Sequence, residues 1–243
     1  MESVKNKKTG GFAQPLFKES STQLEELDTV RELADGRVFA YAKNGSTALD
    51  HGYVVQTAVA TDNAQNEALS ATQSAAIGAT KVTMTFGGAV TLDFFKDGYL
   101  WVNDATGEGY CYRVKGHAAG TTDVDVYLKD PIRVALVAST SELTLIQNRQ
   151  DSVVVAASTL TGCPIGVPPI DVTASYYFWN QVKGWCPVYT RGTLVIGNVA
   201  SVMTANGAVG PRAETDILCQ IGTVLRVCAN TEYSLINLAI PGY

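Results

Sequence analysis

Short apolar stretches rich in branched side chains, separated every few residues by turn-forming dipeptides, run through almost the whole sequence. Val, Ile and Thr make up about a quarter of the chain. Branched side chains fit a pleated surface better than a helix. Residues 29–33 and 37–42 predict a hairpin on Asp35-Gly36, and Asn44-Gly45 supplies a second turn. Residues 81–86 alternate, with Val82, Met84 and Phe86 on one face. Residues 99–103 and 110–115 predict a hairpin around the turn at 104–109, with aromatics pairing across its arms. In residues 123–128 the acids Asp123 and Asp125 face out, and Val124, Val126 and Leu128 face in. Further strands are expected at 134–138, 143–147, 153–157, 176–179, 187–190, 193–196, 200–203, 221–228 and 234–240. Helical patterns are scarce: one turn at 23–27, and an Ala-rich stretch at 66–76 that reads as a helix or a polar loop. The fold class is therefore all-β, built from short antiparallel strands.

A chain of 243 residues admits one or two domains. The expectation is one or two β-barrel or sandwich domains with an extended N-terminal arm. The arm is residues 1–28, a β domain spans 29–160, and a second β domain at 161–243 packs on the first. The boundary at 161–171 carries Pro164, Pro168 and Pro169, which cannot donate ladder hydrogen bonds. Up to Lys18 the arm holds Lys5, Lys7, Lys8 and Lys18 against Glu2, with Phe12, Pro15 and Phe17. Such a segment has no core of its own. It either lies along a neighbour, rings as anchors and lysines against an acidic rim, or frays.

Lys and Arg number 18 against 23 Asp and Glu, a net charge of −5, so no overall positive field draws nucleic acid. No apolar run approaches the roughly 18 residues of a membrane helix, and the first twenty residues contain no apolar leader. The five cysteines, Cys111, Cys163, Cys186, Cys219 and Cys228, form no CxxC pair and are expected as reduced, mostly buried thiols. His51 and His117 both adjoin glycines and are expected at surface turns. No P-loop, HExxH, EF-hand loop or GxSxG elbow occurs. Asp123 and Asp125, about 7 Å apart along a strand, suit either a carboxylate pair for glycoside hydrolysis or a solvated face. The run Tyr176-Tyr177-Phe178-Trp179 with Trp185 reads as core on one side and subunit interface on the other, with a sugar platform as the alternative. No catalytic, cofactor-binding or metal-binding residues are assigned, and the chain is not expected to be an enzyme or to carry a cofactor.

Three stretches carry a family resemblance. They are Asp35-Gly36-Arg37-Val38-Phe39-Ala40-Tyr41-Ala42-Lys43, residues 97–102 with 107–114, and Tyr177-Phe178-Trp179-Asn180-Gln181-Val182-Lys183-Gly184. Together they resemble the capsid auxiliary proteins of tailed bacteriophages, of the decoration or cement type. The resemblance implies a structural virion protein on the capsid exterior, assembled in the host cytoplasm. Its partners would be the major capsid protein and copies of itself, as a homotrimer, without nucleic acid or membrane. The interface candidates are Lys5, Lys7, Lys8, Phe12, Pro15, Phe17, Tyr176, Tyr177, Trp179 and Trp185. A tail or fibre receptor-binding protein recognising a host glycan, and a polysaccharide-degrading enzyme, are the alternatives.

Overall fold

The computed structural model describes residues 11–65, 67–68, 73–157, 160–202, 206–211 and 219–243. Lys5, Lys7 and Lys8 lie outside the described residues, as does part of the 66–76 stretch. In chain order the strands are β1 (Val30–Glu32), β2 (Val38–Lys43), β3 (Val55–Gln56), β4 (Glu67–Ala68), β5 (Lys81–Met84), β6 (Tyr99–Asp104), β7 (Cys111–His117), β8 (Val124–Leu128), β9 (Glu142–Ile146), β10 (Val154–Val155), β11 (Pro164–Gly166), β12 (Tyr177–Tyr189), β13 (Val199–Val202), β14 (Val209–Pro211), β15 (Gln220–Arg226) and β16 (Tyr233–Ala239). A single turn of 3-10 helix at Asp62–Ala64 is the one helical element among the described residues. The fold is all-β with antiparallel sheets, as the alternation and turn chemistry predict.

The chain divides into two compact units, Met1–Val59 with Arg149–Tyr243, and Ala60–Asn148. This differs from the expected split at 160/161, because strand pairing is not local in sequence. β2 pairs with β12, across more than a hundred residues of chain. The proline-rich stretch is no boundary either. β11 begins on Pro164, where a missing N–H is tolerated, and pairs with β3.

In the discontinuous unit the main sheet runs β1-β2-β12-β16-β15-β13-β14. The two strands expected at 176–179 and 187–190 are one strand, β12, of 13 residues. Its first half pairs with β2 and its second half with β16. The register shifts between Gln181 and Lys183, and Gly184 follows at φ +87°. A Cβ at 184 would stand 3.0 Å from Arg37 Cα. No ladder forms at 193–196; Leu194 is buried there while Val195 and Ile196 face out.

Residues 11–28 are not a detached arm. Leu16 and Leu27 join Phe39, Tyr41 and Trp179 in a core cluster, with Phe12 packed against it. Gln14, 1% exposed, fastens the segment to the sheet. Its Nε2 donates to Lys18 O (2.7 Å) and Tyr177 O (2.9 Å), and its Oε1 accepts from the Tyr41 hydroxyl (2.6 Å). Its carbonyl accepts from the indole Nε1–H of Trp179 (3.0 Å), and Leu24 N–H donates to Tyr41 Oη (3.0 Å). No helical turn forms at 23–27. Nearby, Tyr243 closes a polar lock: its hydroxyl donates to Asp28 and accepts from Gln150 Nε2 (2.9 Å). The Arg149 guanidinium pairs with Asp28 (3.0 Å) and stacks over the Tyr243 ring at 3.9 Å.

The continuous unit is one six-stranded sheet, β4-β9-β6-β7-β8-β5. Its core gathers Met84, Phe86, Phe95, Leu100, Tyr112, Val126 and Leu143. The β6–β7 hairpin forms, but its aromatics do not oppose one another. Tyr99 faces Arg113, Leu100 faces Tyr112, and Trp101 faces Cys111. The expected strand at 134–138 reduces to one bridge, Leu136 to Ala75. His117 is no surface residue: it is 2% exposed in β7, its Nε2 accepts from Phe95 N–H (3.0 Å), and its Nδ1 lies 2.7 Å from Ala118 O. Both ring nitrogens are consumed by the backbone, the pattern of a structural histidine.

Two expected outcomes follow from the discontinuous unit. Replacing Gly184 by Ala forces a Cβ into a left-handed conformation, at about 1–2 kcal/mol, with the Arg37 backbone contact in addition. Gly197 has φ +86° with nothing within 4 Å, so Gly197→Ala isolates the conformational part. Urea midpoints should fall further for Gly184→Ala than for Gly197→Ala. Burial, then the Asp28 charge, pushes the Tyr243 phenol up from its ordinary 10.0. The folded chain therefore keeps this proton where the unfolded chain loses it, and the associated stability is present below pH 10 and lost above it. The drop in urea midpoint from about pH 9 to about pH 11 should be shallower in Tyr243→Phe than in the wild type.

Candidate functional site

The two faces of β12 are treated differently along its length. Side chains alternate across a strand, so 183, 185, 187 and 189 share one face and 186 and 188 the other. Over the first half both faces are buried. Phe178 and Val182 enter the cores beneath, and Trp179 lies under residues 11–28. Past the bend at Gly184 the covering segment ends. Cys186 and Val188 stay in the core, but Trp185 is 64% exposed on the outer face.

Strand register extends that exposed face sideways. Trp185 lies opposite Asn237, which lies opposite Thr223; Pro187 lies opposite Leu235, and Tyr189 opposite Tyr233. Antiparallel partners share a face, so these residues form one surface across β12, β16 and β15. Lys183 and Arg226 bring positive charge at its margins. At the Tyr189 end the surface becomes a cluster of rings. Tyr53 stacks on Tyr189 at 4.7 Å, His51 stacks on Tyr233 at 5.4 Å, and Tyr189 meets Tyr233 edge-on at 5.8 Å. Gly52 allows this approach, since a Cβ there would lie 2.5 Å from the Tyr233 ring. His51 sits at the surface, as its turn setting predicts. Asp171 fixes it, accepting from His51 N–H at 2.9 Å and meeting Nδ1 at 2.7 Å. Those contacts hold the Asp171 carboxyl below its ordinary value.

The sequence-derived interface residues scatter. Trp185 alone lies wholly on the open face. Trp179 is fully buried, which removes it as an interface residue: its ring packs on Phe12 at 5.2 Å and Tyr41 at 5.1 Å. Phe12 is thereby an internal anchor, with the Arg31 guanidinium 4.7 Å from its ring. Tyr177 is half-buried, stacked on Tyr41 at 6.0 Å, and Tyr176 is half-buried beside the Phe178 core. Pro15 is exposed and Phe17 is 56% exposed. Tyr53, Tyr189 and Tyr233 were not singled out by sequence. They lie far apart in the chain, and only the β12–β16 pairing and the turn at Gly52 bring them together.

The carboxylates Asp123 and Asp125 have different settings. Asp123 precedes β8 at φ +51°, and Asp125 accepts from Thr83 Oγ1 (2.7 Å) and pairs with Lys81 Nζ (3.0 Å). The Thr83 hydrogen bond, then Lys81, keeps Asp125 below the ordinary carboxylate value, which suits a fixed anion and not a proton donor. Among the described residues no three potential metal ligands converge. No family model, curated protein or solved structure matches the chain.

The five cysteines are unpaired, but they are not mostly buried: only Cys186 is, while Cys111, Cys163 and Cys228 are exposed. Burial pushes the Cys186 thiol up to about 12, and burial also raises Cys111 and Cys219. Maleimide, which captures thiolate, should modify Cys163 and Cys228 first, Cys111 and Cys219 more slowly, and Cys186 only after unfolding. Peptide mass spectrometry of native and denatured samples reads this order. Native labelling of Cys186 would contradict its burial.

Proposed function

We propose that this chain is a structural virion protein of the phage capsid decoration type, which binds the assembled shell through the open outer face of β12, β16 and β15. The observation that carries this reading is the abrupt change at Gly184: the same strand face is covered by residues 11–28 before it and left apolar and open after it. Exposed aromatic and aliphatic side chains grouped on one sheet face mark a contact surface. Trp185, Tyr189 and Tyr233 are of the residue types that dominate binding energy when desolvated. The resemblance in residues 35–43, 97–102 with 107–114, and 177–184 supplies the virion assignment. The partners on this reading are the major capsid protein and copies of this chain, arranged as a homotrimer on the capsid exterior. A protein that binds only the assembled shell stabilises that shell by mass action.

Residues 11–28 take a different part from a free arm. Their rings and Gln14 complete the protein's own core, so removing residues 2–20 would uncover Trp179 and Tyr41 as well as any shell contact. Point changes on the open face separate binding from folding. Trp185→Asp places a charge where a dry contact would form, at a side chain that is already 64% exposed. Occupancy on particles of the same phage, assembled without the protein and then mixed with it, should fall about tenfold or more on a quantitative gel, while the thermal midpoint stays unchanged. Equal occupancy by wild type and Trp185→Asp would remove this face from the mechanism.

A further inference from the structure

The continuous unit carries a second surface feature, a cleft of about 670 Å³ over the outer face of β6 and β9. Pockets for small ligands run about 300–1,000 Å³, so its size is that of a binding cleft and not of a packing gap. Its floor follows from register. Trp101 in β6 lies opposite Thr144 in β9, and Asn103 follows two residues on, on the same face. Ala60, Thr61 and Gln65, flanking the 3-10 turn at Asp62–Ala64, complete the lining with Leu145 and Ile146.

The chemistry of the lining is uniform. Among the described residues it contains one indole, two hydroxyls and two carboxamides besides aliphatic groups, and no ionisable side chain. Thr144 Oγ1 donates to Asn103 Oδ1 at 2.9 Å, which fixes the direction the Asn103 carboxamide faces before any ligand arrives. Trp101 is half-buried and lines the cleft.

We propose that this cleft binds a neutral saccharide residue of a glycan. A sugar ring presents a C–H face, which an indole covers, and a rim of hydroxyls, which carboxamides and hydroxyls match as both donors and acceptors. An anionic ligand such as a phosphate or sialic acid would find no cation among the described lining residues to offset its desolvation. A wholly apolar ligand would strip water from the exposed Asn103 and Gln65 carboxamides without replacing those hydrogen bonds. The cleft is open to solvent, which leaves room for the remainder of a chain to extend outward. This inference is independent of the capsid reading, since it concerns other residues in the other unit.

The test uses the full chain on a glycan array bearing neutral and acidic oligosaccharides, followed by titration with maltotriose, chitotriose and sialyllactose. Tryptophan fluorescence is read in a Trp185→Phe background, where Trp101 is the remaining tryptophan near solvent. The expected result is binding of a neutral oligosaccharide, weakened about tenfold or more by Trp101→Ala and several-fold by Gln65→Ala, and unchanged by Trp185→Phe. Gln65 is an exposed lining residue, so its variant keeps the test valid if Trp101→Ala fails to fold. Binding of no neutral glycan, equal binding by wild type and Gln65→Ala or by wild type and a folded Trp101→Ala, or tighter binding of sialyllactose would each overturn the proposal. Loss of shell occupancy in Trp185→Asp with saccharide binding intact would keep the two readings apart.

Discussion

The discontinuous unit depends on one long strand changing its environment part way along. β12 is central to the main sheet, and its 13 residues cannot all be treated alike. A flat strand of that length would drive its outer face either wholly under cover or wholly into water. The register shift after Gln181 and the left-handed Gly184 turn the strand at its midpoint, and its ladder passes from β2 to β16 at the same place. Bulges commonly re-aim side chains in this way. Here the consequence is a dry first half around Trp179 and an open second half around Trp185.

The dry half is completed by chain that has no regular structure of its own. Residues 11–28 hold their place because Gln14 and Tyr41 satisfy one another, and because the Trp179 indole N–H finds the Gln14 carbonyl. A buried indole or phenol is costly without such a partner, so the polar bonds and the Phe12, Leu16 and Leu27 contacts act together. Asp28, Arg149, Gln150 and Tyr243 do a similar thing elsewhere in the unit. They join three stretches of chain that are remote in sequence through one ion pair, one stacked guanidinium and two hydroxyl contacts.

Charge plays a minor part at both surfaces discussed. The outer face of β12, β16 and β15 has its cations at the margin, and the cleft over β6 and β9 has no ionisable side chain among its described lining residues. The fixed anions are already engaged: Asp125 with Thr83 and Lys81, Asp97 with Lys129 at 2.7 Å, and Asp171, at the ring-cluster end of the outer face, with His51. Recognition at both surfaces therefore rests on shape, ring faces and neutral hydrogen bonding. Little salt dependence is expected of such contacts.

Local rules settled the strands. The Asp35-Gly36 turn with its hairpin, the inward Val82, Met84 and Phe86, and the inward Val124, Val126 and Leu128 were all legible, because turn chemistry and period-two alternation act over neighbouring residues. Pairing was not legible. That β2 and β11 belong with β12 and β3, and that residues 60–148 form their own unit, depends on contacts between segments far apart in the chain. The same limit explains the site residues. An aromatic run such as 176–179 declares apolar surface, but which side of each ring is dry depends on what lands on it. Residues 11–28 landed on Trp179 and left Trp185 bare. His117 looked like a turn residue beside Gly116 and became a buried acceptor for Phe95 N–H, because β7 runs on through it. Tyr53, Tyr189 and Tyr233 carry no shared pattern in sequence. Their cluster exists only because backbone hydrogen bonds between distant strands, and a glycine at 52, set the rings side by side.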